Sequence, residues 1–229
     1  MVEIVTKENA HLYEDVLDDM FKMRYRVAVE QWGWNIPGIE PGYDKDDFDT
    51  DDTIYFICLD ASETRTLACG RLIPTMKPHL LSEVFDKRCV SEELPRSASV
   101  FEFSRYVVDH RSMSKEDQAA VRARIPSAIN KFCLQANITH LTFLGYMSSY
   151  ARTIKFWETR PLGAPCYFEE DDATYIAAQS AMTPDGLQNL RDAFHLTRSE
   201  PYLSSRVNWG EQPAINRIRA AITNPAIAA

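Results

Sequence analysis

Long hydrophobic runs are missing from the sequence, and none of its apolar stretches approaches the roughly 20 residues that span a membrane. Residues 1–5 lack the basic and then apolar pattern of a secretory signal. Cysteine is scarce, with 5 residues, an odd number, and no two of them are spaced as a Cys-x-x-Cys pair. These absences exclude a disulfide framework and a zinc site, and they predict a protein of the reducing cytoplasm.

Positive charge is also in short supply, since 25 lysines and arginines stand against 33 aspartates and glutamates, a net charge of −8. This balance argues against a dedicated nucleic-acid binder, which needs an excess of cations to displace the counterions of phosphate. A hydrophobic content of 45% in 229 residues is ordinary for a globular protein with a real core. We predict one domain, composed of an N-terminal helix and cap (1–52), a body (53–194) and a tail (195–229).

Strands and helices are predicted to alternate along the body. Apolar residues recur at helical spacing from position 9 to 29, and the tail holds one more amphipathic stretch. The elements between them are predicted as strands 53–59 and 66–73, a short helix or loop 78–85, strand 100–109, a helix from 114 that Pro126 should kink or split, strand 140–146, helix 148–159, strands 164–169 and 174–181, and helix 183–194. This order implies a layered α/β sandwich with a mixed sheet.

The predicted strand 100–109 carries polar side chains within an otherwise apolar run. A period of two predicts two faces, one with Phe101, Phe103, Arg105 and Val107 and the other with Glu102, Ser104, Tyr106 and Val108. A carboxylate and a guanidinium inside a central strand need partners or a chemical role, because burying an unpaired charge is costly. The alternative is a half-exposed strand whose polar side chains face water.

An acidic run precedes the first strand of the body, with 6 aspartates in the nine positions 44–52. A solvated loop is the ordinary interpretation. A calcium loop is excluded, because the positions that it gives to glycine and glutamate hold Asp52 and Cys58. Two tryptophans just before the run favour a cap over a cationic ligand. Arg24 lies on the apolar stripe of the first helix, where it either extends to solvent or pairs with a buried carboxylate.

These outliers, taken in order, resemble the motifs of the LuxI-type acyl-homoserine-lactone synthases, the autoinducer synthases, whose fold is similar to that of GNAT acyltransferases. The blocks that carry the resemblance are 21–27 with Gly33 and Trp34, 46–55, 69–75 followed by the phenylalanine segment 80–85, and 101–109. Ala28 departs from the family, which usually has phenylalanine there. The resemblance implies a GNAT-like three-layer α-β-α sandwich with a mixed central sheet.

The resemblance further implies S-adenosylmethionine as the amine substrate and an acyl thioester of acyl carrier protein or coenzyme A as the donor, with no bound cofactor. N-acylation is followed by attack of the methionyl carboxylate on the carbon beside the sulfonium, which closes the lactone and releases methylthioadenosine. Glu102 is the candidate base for the amine proton, directly or through water, and Ser104 on the same strand would hold the water or the thioester. Arg105 completes the predicted catalytic set.

Further roles follow from the same resemblance. Arg24 and Arg105 are predicted to clamp the substrate carboxylate, Trp34 and Phe101 to face the sulfonium or adenine, and Asp46 to reach the amine. Asp46, Asp49 and Arg71 are predicted to form an ion cluster with Arg24 that pins the cap, and a purely structural ion-pair lock is the alternative. The predicted acyl pocket consists of Phe85, Phe143, Met147 and Ser149.

An acidic carrier protein would need a local basic surface on this acidic chain. The candidate docking residues are Lys87, Arg88, Arg152, Lys155 and Arg160. A solvated helix face explains these cations equally well.

Two other function classes stay open. A conventional GNAT acetyltransferase holds the coenzyme A pyrophosphate on a glycine-rich turn before a helix, whereas the connection 109–117 contains no glycine. A non-catalytic binding domain, in which the charged cluster is only structural, would bind S-adenosylmethionine without turning it over.

Overall fold

The computed structural model describes residues 1–85, 89–111, 113–169, 172–194, 196 and 213–224. The strands are β1 (Val2–Val5), β2 (Ile54–Leu59), β3 (Thr66–Pro74), β4 (Val100–Val108), β5 (His140–Tyr146), β6 (Thr159–Pro161), β7 (Cys166–Phe168) and β8 (Ala173–Ala181). They form one sheet in the order β1-β2-β3-β4-β5-β8-β6, with β7 also paired to β8. Only the β4–β5 pair is parallel among these neighbours, so the sheet is mixed as predicted.

Helices cover both faces of the sheet. Helix α1 (Glu14–Arg24) packs on one face through Val16, Met20 and Met23. The opposite face is covered by α2 (Lys115–Ala136), α4 (Pro184–Ala193) and α5 (Pro213–Thr223), and the main core lies beneath them. The short helix α3 (Met147–Thr153) follows β5 directly. These layers confirm the predicted three-layer α-β-α sandwich. In the described part of the chain, no helix has both the length and the apolarity that crossing a membrane requires.

Strand β4 contains a bulge that reverses its alternation. Cys69 pairs with Val107 and Arg71 with Ser104, so Gly70 lies opposite two residues of β4. Within the bulge, Arg105 has a left-handed backbone conformation, with φ 51°. A β-bulge adds one residue to one strand, and this shifts every later side chain to the other face. The predicted faces are therefore wrong beyond Ser104.

The corrected faces follow from the packing. Before the bulge, Phe101 and Phe103 lie on the α2 side, and after it Tyr106 and Val108 do. Val107 packs on the α1 side. Arg105 consequently lies on the same side as Ser104, where its guanidinium meets the carboxylates described below. A Cβ on Gly70 would lie 2.8 Å from the Phe103 ring, so this glycine is required by the close packing at the bulge.

Strands β4 and β5 diverge after a short parallel contact. Their pairing covers only Val100 to Glu102 and His140 to Thr142. Beyond these residues β4 pairs with β3 and β5 pairs with β8. The sheet therefore opens into a wedge between the later halves of β4 and β5.

Several element predictions need correction. The helix predicted for 9–29 is a 3₁₀ turn at Ala10–Leu12, α1, and a π-helix at Tyr25–Gln31. Strands β1 and β6 were not predicted. Helix α2 runs through Pro126 unbroken, beginning at Ser114, whose Oγ accepts a hydrogen bond from the Asp117 N–H at 3.1 Å, and ending before the left-handed Asn137.

The helix predicted for 148–159 ends at Thr153. Residues 154–157 form a tight turn that brings Trp157 into the main core and leaves Ile154 49% exposed. Thr159 then begins β6, whose pairing with β8 competes with a longer helix. The helix predicted for 183–194 is present as α4, capped by Thr183. In the tail, α5 packs Ile215 and Ile218 into the main core.

Candidate active site

Three arginines and three aspartates form a closed ring of ion pairs at the junction of cap and sheet. Going round the ring, the order is Arg24, Asp49, Arg71, Asp46, Arg105 and Asp44, and the distances between neighbouring side chains run from 2.7 to 3.1 Å at the closest atoms. All six side chains are at most 9% exposed. Because each charge has two partners of opposite sign, the ring is neutral and its burial costs far less than that of isolated ions.

The ring joins four parts of the chain. Arg24 comes from α1, the aspartates from the loop before β2, Arg71 from β3 and Arg105 from the bulge of β4. Asp49 also accepts a hydrogen bond from the Asp46 N–H at 2.9 Å and from the Tyr55 hydroxyl at 3.1 Å. The acidic run is thus a tightly held loop rather than a solvated one at Asp44, Asp46 and Asp49.

Asp44 is the ring member that sequence reasoning missed. Its carboxylate is fully buried between Arg24 and Arg105, at 3.1 Å from each. Within the acidic run nothing in the sequence distinguishes it from its neighbours. The available signal was the number of arginines, because three arginines in apolar elements require three buried carboxylates as partners.

The ring shifts the pKa values of its members in opposite directions. Burial alone raises the pKa of Asp49, but Arg24 and Arg71 outweigh it and hold that pKa well below its usual range. Burial lowers the pKa of Arg24, and the charges of Asp49 and Asp44 more than reverse this effect. Arg105 differs, because burial and then repulsion by Arg71 keep its pKa below the ordinary value.

Arg24 is not placed to clamp a substrate carboxylate, which corrects that part of the prediction. Its Nε, Nη1 and Nη2 all donate to Asp44 or Asp49, and its side chain is 1% exposed. Arg105 is placed differently. Its bonds to Asp44 and Asp46 use Nε and Nη2, so within the described residues Nη1 remains for a ligand.

Glu102 lies on β4 two residues before Ser104 and is 1% exposed. Its two carboxylate oxygens accept hydrogen bonds from the backbone N–H groups of Leu80 and Leu81, at 3.0 and 2.7 Å. Burial raises its pKa from 4.5 to about 7, and the two N–H groups only partly offset this rise. Near neutral pH the side chain therefore exchanges a proton readily, as a general base must.

Ser104 and Trp34 both lie against the ring of ion pairs. Ser104 Oγ accepts a hydrogen bond from Arg71 Nε at 2.9 Å, which ties it to the ring. Trp34 follows the π-helix, and its backbone N–H donates a hydrogen bond to the Ala28 carbonyl at 2.9 Å. The Arg105 guanidinium lies 5.7 Å from the centre of the Trp34 ring. On the far side of the wedge, Tyr146 Oη accepts a hydrogen bond from Trp34 Nε1 at 2.9 Å.

Phe101 lies elsewhere, which corrects its predicted place beside Trp34. Its ring is 4% exposed in the main core beneath α2, on the opposite face of the sheet from Glu102. The alternation before the bulge puts odd-numbered residues on that face. A ligand bound against Trp34 therefore does not reach Phe101.

The predicted acyl-pocket residues are not brought together in one place. Phe85 belongs to a third apolar cluster with Leu81, Phe168 and Tyr175, and Leu81 links this cluster to Glu102. Alternation along β5 puts Phe143 on the face of Leu141, away from Leu144 and Tyr146, which pack on the third cluster. Met147 is 37% exposed, and Ser149 accepts a hydrogen bond from Arg152 on the surface of α3.

The candidate docking cations are only partly described. Lys87 and Arg88 lie outside the described residues. Arg152 and Lys155 are exposed near α3. Arg160 on β6 donates to Glu92 and to Gln179, so an acidic neighbour already offsets its charge.

Solved structures with this architecture come from acyltransferases. The coenzyme-A-dependent acyl-homoserine lactone synthase BjaI, with SAM and isopentyl-CoA, superposes with a TM-score of 0.80 at 26% identity, over 96% of this chain and 99% of that one. The coenzyme-A-dependent acyl-homoserine lactone synthase MesI gives a TM-score of 0.77 at 26% identity, over 90% of this chain and 100% of that one. Fold and site thus define an enzyme of the GNAT-like acyltransferase class.

The sequence comparisons are more specific. The model of the autoinducer synthase family matches residues 8–145. An isovaleryl-homoserine lactone synthase of Bradyrhizobium diazoefficiens is 31% identical over 142 residues, 62% of this chain and 62% of that protein. An acyl-homoserine-lactone synthase of Ralstonia nicotianae is 32% identical over 169 residues, 67% of this chain and 82% of that protein. The chain belongs to the autoinducer synthase family, and the prediction of that family is confirmed.

Proposed function

We propose that the protein makes an N-acyl-homoserine lactone from S-adenosylmethionine and an acyl thioester. The observation that carries the proposal is the juxtaposition of a buried Glu102 with the Arg105 edge of the ion ring at the open wedge between β4 and β5. The family relatives named above support the same activity. A site that combines a base, an anion-binding edge and an aromatic face suits a substrate that carries an amine, a carboxylate and a sulfonium.

Glu102 is the base in this proposal. The ammonium of S-adenosylmethionine loses a proton to its carboxylate, directly or through a water. The neutral amine then attacks the thioester carbon, a C–N bond forms and the C–S bond breaks. The remaining excess proton on the nitrogen passes to the departing sulfur, which leaves as the thiol. With a pKa of about 7, about half of Glu102 is ionised near neutral pH, and the side chain holds the proton after it has accepted it. Ser104, held by Arg71, positions the water.

S-adenosylmethionine binds along Arg105 and Trp34. The free Nη1 of Arg105 contacts the substrate carboxylate, and the Trp34 ring faces the sulfonium. Asp46, with 8% of its side chain exposed, is the ring carboxylate that approaches the amine. Arg24, Asp49 and Arg71 do not contact the substrate in this proposal, and they hold Asp46 and Arg105 in place. A structural ring and a binding site are therefore compatible.

Lactone closure follows without a further base. The freed carboxylate of the acylated substrate attacks the carbon beside the sulfonium, a C–O bond forms, and the C–S bond breaks to release neutral methylthioadenosine. The attacking group is already an anion and the leaving group is already a cation. The site has to orient the chain, and it needs no proton for this step.

An acyl-coenzyme A is the donor that we propose over an acyl carrier protein. The similar enzymes BjaI and MesI are described as coenzyme-A-dependent. The basic surface expected for a carrier protein is reduced at Arg160 by Glu92. All five cysteines are free thiols, which fits a reducing compartment, and we propose that the enzyme acts in the cytoplasm.

Turnover measured by mass spectrometry tests the proposal. Purified protein is incubated with S-adenosylmethionine and parallel panels of acyl-coenzyme A and acyl-carrier-protein thioesters. We expect an acyl-homoserine lactone and an equal amount of methylthioadenosine, with a coenzyme A donor. Glu102→Gln should reduce turnover by about 100-fold or more, as loss of a general base does. An acylated amine without lactone would instead identify an ordinary acyltransferase, and a carrier-protein donor would overturn the choice of coenzyme A.

A further inference from the structure

Tyr146 closes the wedge from the side opposite Glu102. It is the last residue of β5, and with Leu144 it packs on the third apolar cluster, on the same face of the sheet as Glu102 and Ser104. Its ring stacks on Tyr175 with centroids 4.6 Å apart and an interplanar angle of 30°. The phenol is therefore held in place on a strand rather than a loop, at the edge of the wedge between β4 and β5.

The hydrogen bond with Trp34 leaves the phenol proton of Tyr146 for another partner. The indole Nε1 can only donate, so Tyr146 Oη is the acceptor of this 2.9 Å contact. The hydroxyl retains its own proton, and among the described residues no acceptor for it is found. Accepting one hydrogen bond also strengthens the next one that the hydroxyl donates, because chains of hydrogen bonds polarise each other.

The strand register separates Tyr146 from Glu102 along the same face of the sheet. Thr142 pairs with Glu102, and Tyr146 lies four residues further along β5, about 13 Å of strand. A bridging water, the attacking nitrogen and the carbonyl group span about 10 Å at ordinary hydrogen-bond and attack distances. Arg105 reaches the same level through the bulge, since its guanidinium lies on the ring of the tryptophan that binds Tyr146.

We propose that Tyr146 is a catalytic residue that donates a hydrogen bond from its hydroxyl to the thioester carbonyl oxygen of the acyl donor. This inference rests on the proposed function. As the amine adds to the carbonyl carbon, negative charge develops on that oxygen and the hydrogen bond strengthens. When the C–S bond breaks, the electron pair on oxygen re-forms the C=O double bond and the bonding pair leaves with sulfur, so Tyr146 keeps its proton throughout. Trp34 thereby connects the two substrates, since it faces the sulfonium and orients the phenol.

The test compares two variants that delete the same hydrogen bond in different ways. Tyr146→Phe removes the bond to Trp34 and also the donor to the substrate, whereas Trp34→Phe removes only the bond. With the thioester that the wild type turns over, we expect Tyr146→Phe to lower kcat about 100-fold, as loss of an oxyanion donor does, with the KM for S-adenosylmethionine unchanged. Trp34→Phe should mainly raise that KM and lower kcat less than about 10-fold. Tyr167→Phe, at an exposed tyrosine bonded to Asp172, is the matched control and should leave both constants unchanged.

Binding of two unreactive donor analogues gives a second measurement. A ketone analogue keeps the carbonyl and replaces the sulfur by carbon, whereas a thioether analogue lacks the carbonyl. Tyr146→Phe should weaken binding of the ketone about 10-fold and leave the thioether unaffected. Equal kcat losses in Tyr146→Phe and Trp34→Phe, a Tyr146→Phe rate within about threefold of wild type, or equal loss for both analogues would each overturn the assignment. A wild type that yields no lactone from any donor overturns the proposed function, and with it this inference.

Discussion

The protonation state of Glu102 is the property on which the proposed mechanism depends most, and stability measurements test it without any substrate. The side chain faces two backbone N–H donors, which favour the carboxylate, while its burial favours the neutral acid. Glu102→Gln separates these effects. A glutamine has one acceptor oxygen and one NH₂ donor, so it resembles the protonated acid and does not titrate.

The magnitude and sign follow from the pKa. A rise from 4.5 to about 7 on folding corresponds to about 3 kcal/mol of differential stability. Between these two values the folded protein binds more protons at Glu102 than the unfolded chain does. The contribution of Glu102 to stability is therefore fully present below about pH 4.5, falls as pH rises through the folded value, and is constant above about pH 8.

The assay is urea unfolding of wild type and Glu102→Gln at a series of pH values from about 4.5 to 8. Because glutamine does not titrate, other groups largely cancel in the difference between the two proteins. We expect the free energy of unfolding of wild type relative to Glu102→Gln to decrease by about 3 kcal/mol across this range. At about pH 4.5, the protonated carboxyl of wild type and the amide of Glu102→Gln each turn one donor group toward a backbone N–H of Leu80 or Leu81. The free energies of unfolding of the two proteins should therefore lie close together at this pH.

Two outcomes would refute this reasoning. A difference that does not change with pH would mean that the Glu102 pKa is the same in the folded and unfolded states. A wild type that gains stability relative to Glu102→Gln as pH rises would mean that the N–H groups of Leu80 and Leu81 outweigh burial. In either case Glu102 would be ionised well below neutral pH and would be a weak base.

Three further predictions test the ring, the bulge and the base. Asp44→Asn should lower the free energy of unfolding by about 3–5 kcal/mol in urea titrations, because two buried ring arginines lose a charged partner. A loss under about 1 kcal/mol would mean that water takes the place of the lost carboxylate. Gly70→Ala should cost about 1–3 kcal/mol in the same assay, since its Cβ would lie 2.8 Å from Phe103; an unchanged stability would show that the ring moves freely. The wild-type kcat/KM should fall about tenfold per pH unit below about 7, as Glu102 becomes protonated, and a flat profile from pH 6 to 8 would remove it as the base.

The sequence predicted the fold class and the chemical class well, for identifiable reasons. Period-two and helical patterns located β2 to β5, α1 and α2, because each of these elements buries one face against the core. The arginines in apolar elements and the aspartates before β2 located the site, because buried charges need partners. The sequence patterns missed the short strands β1 and β6. Their formation depends on pairing with strands that are distant along the chain, and a local sequence pattern does not reveal such pairing.

The individual site residues were harder to predict, because their roles depend on tertiary geometry. Asp44 and Asp47 look equivalent in the sequence, yet Asp44 is buried between two arginines and Asp47 is exposed. Tyr146 was recognised only as the end of a strand, since its contact with Trp34 joins residues 112 positions apart. Leu80 and Leu81 contribute backbone N–H groups rather than side chains, and no residue type marks such a role.

The bulge in β4 decides which arginine can serve the substrate. With regular alternation, Arg105 would point with Phe101 and Phe103 into the apolar core beneath α2. The extra residue opposite Gly70 turns Arg105 to the face of Glu102, and its φ of 51° is the strained backbone that this turn requires. Its pairing with Asp44 and Asp46 compensates the strain. Because the other two ring arginines are enclosed, the bulge supplies the ring with the edge that a substrate carboxylate can reach.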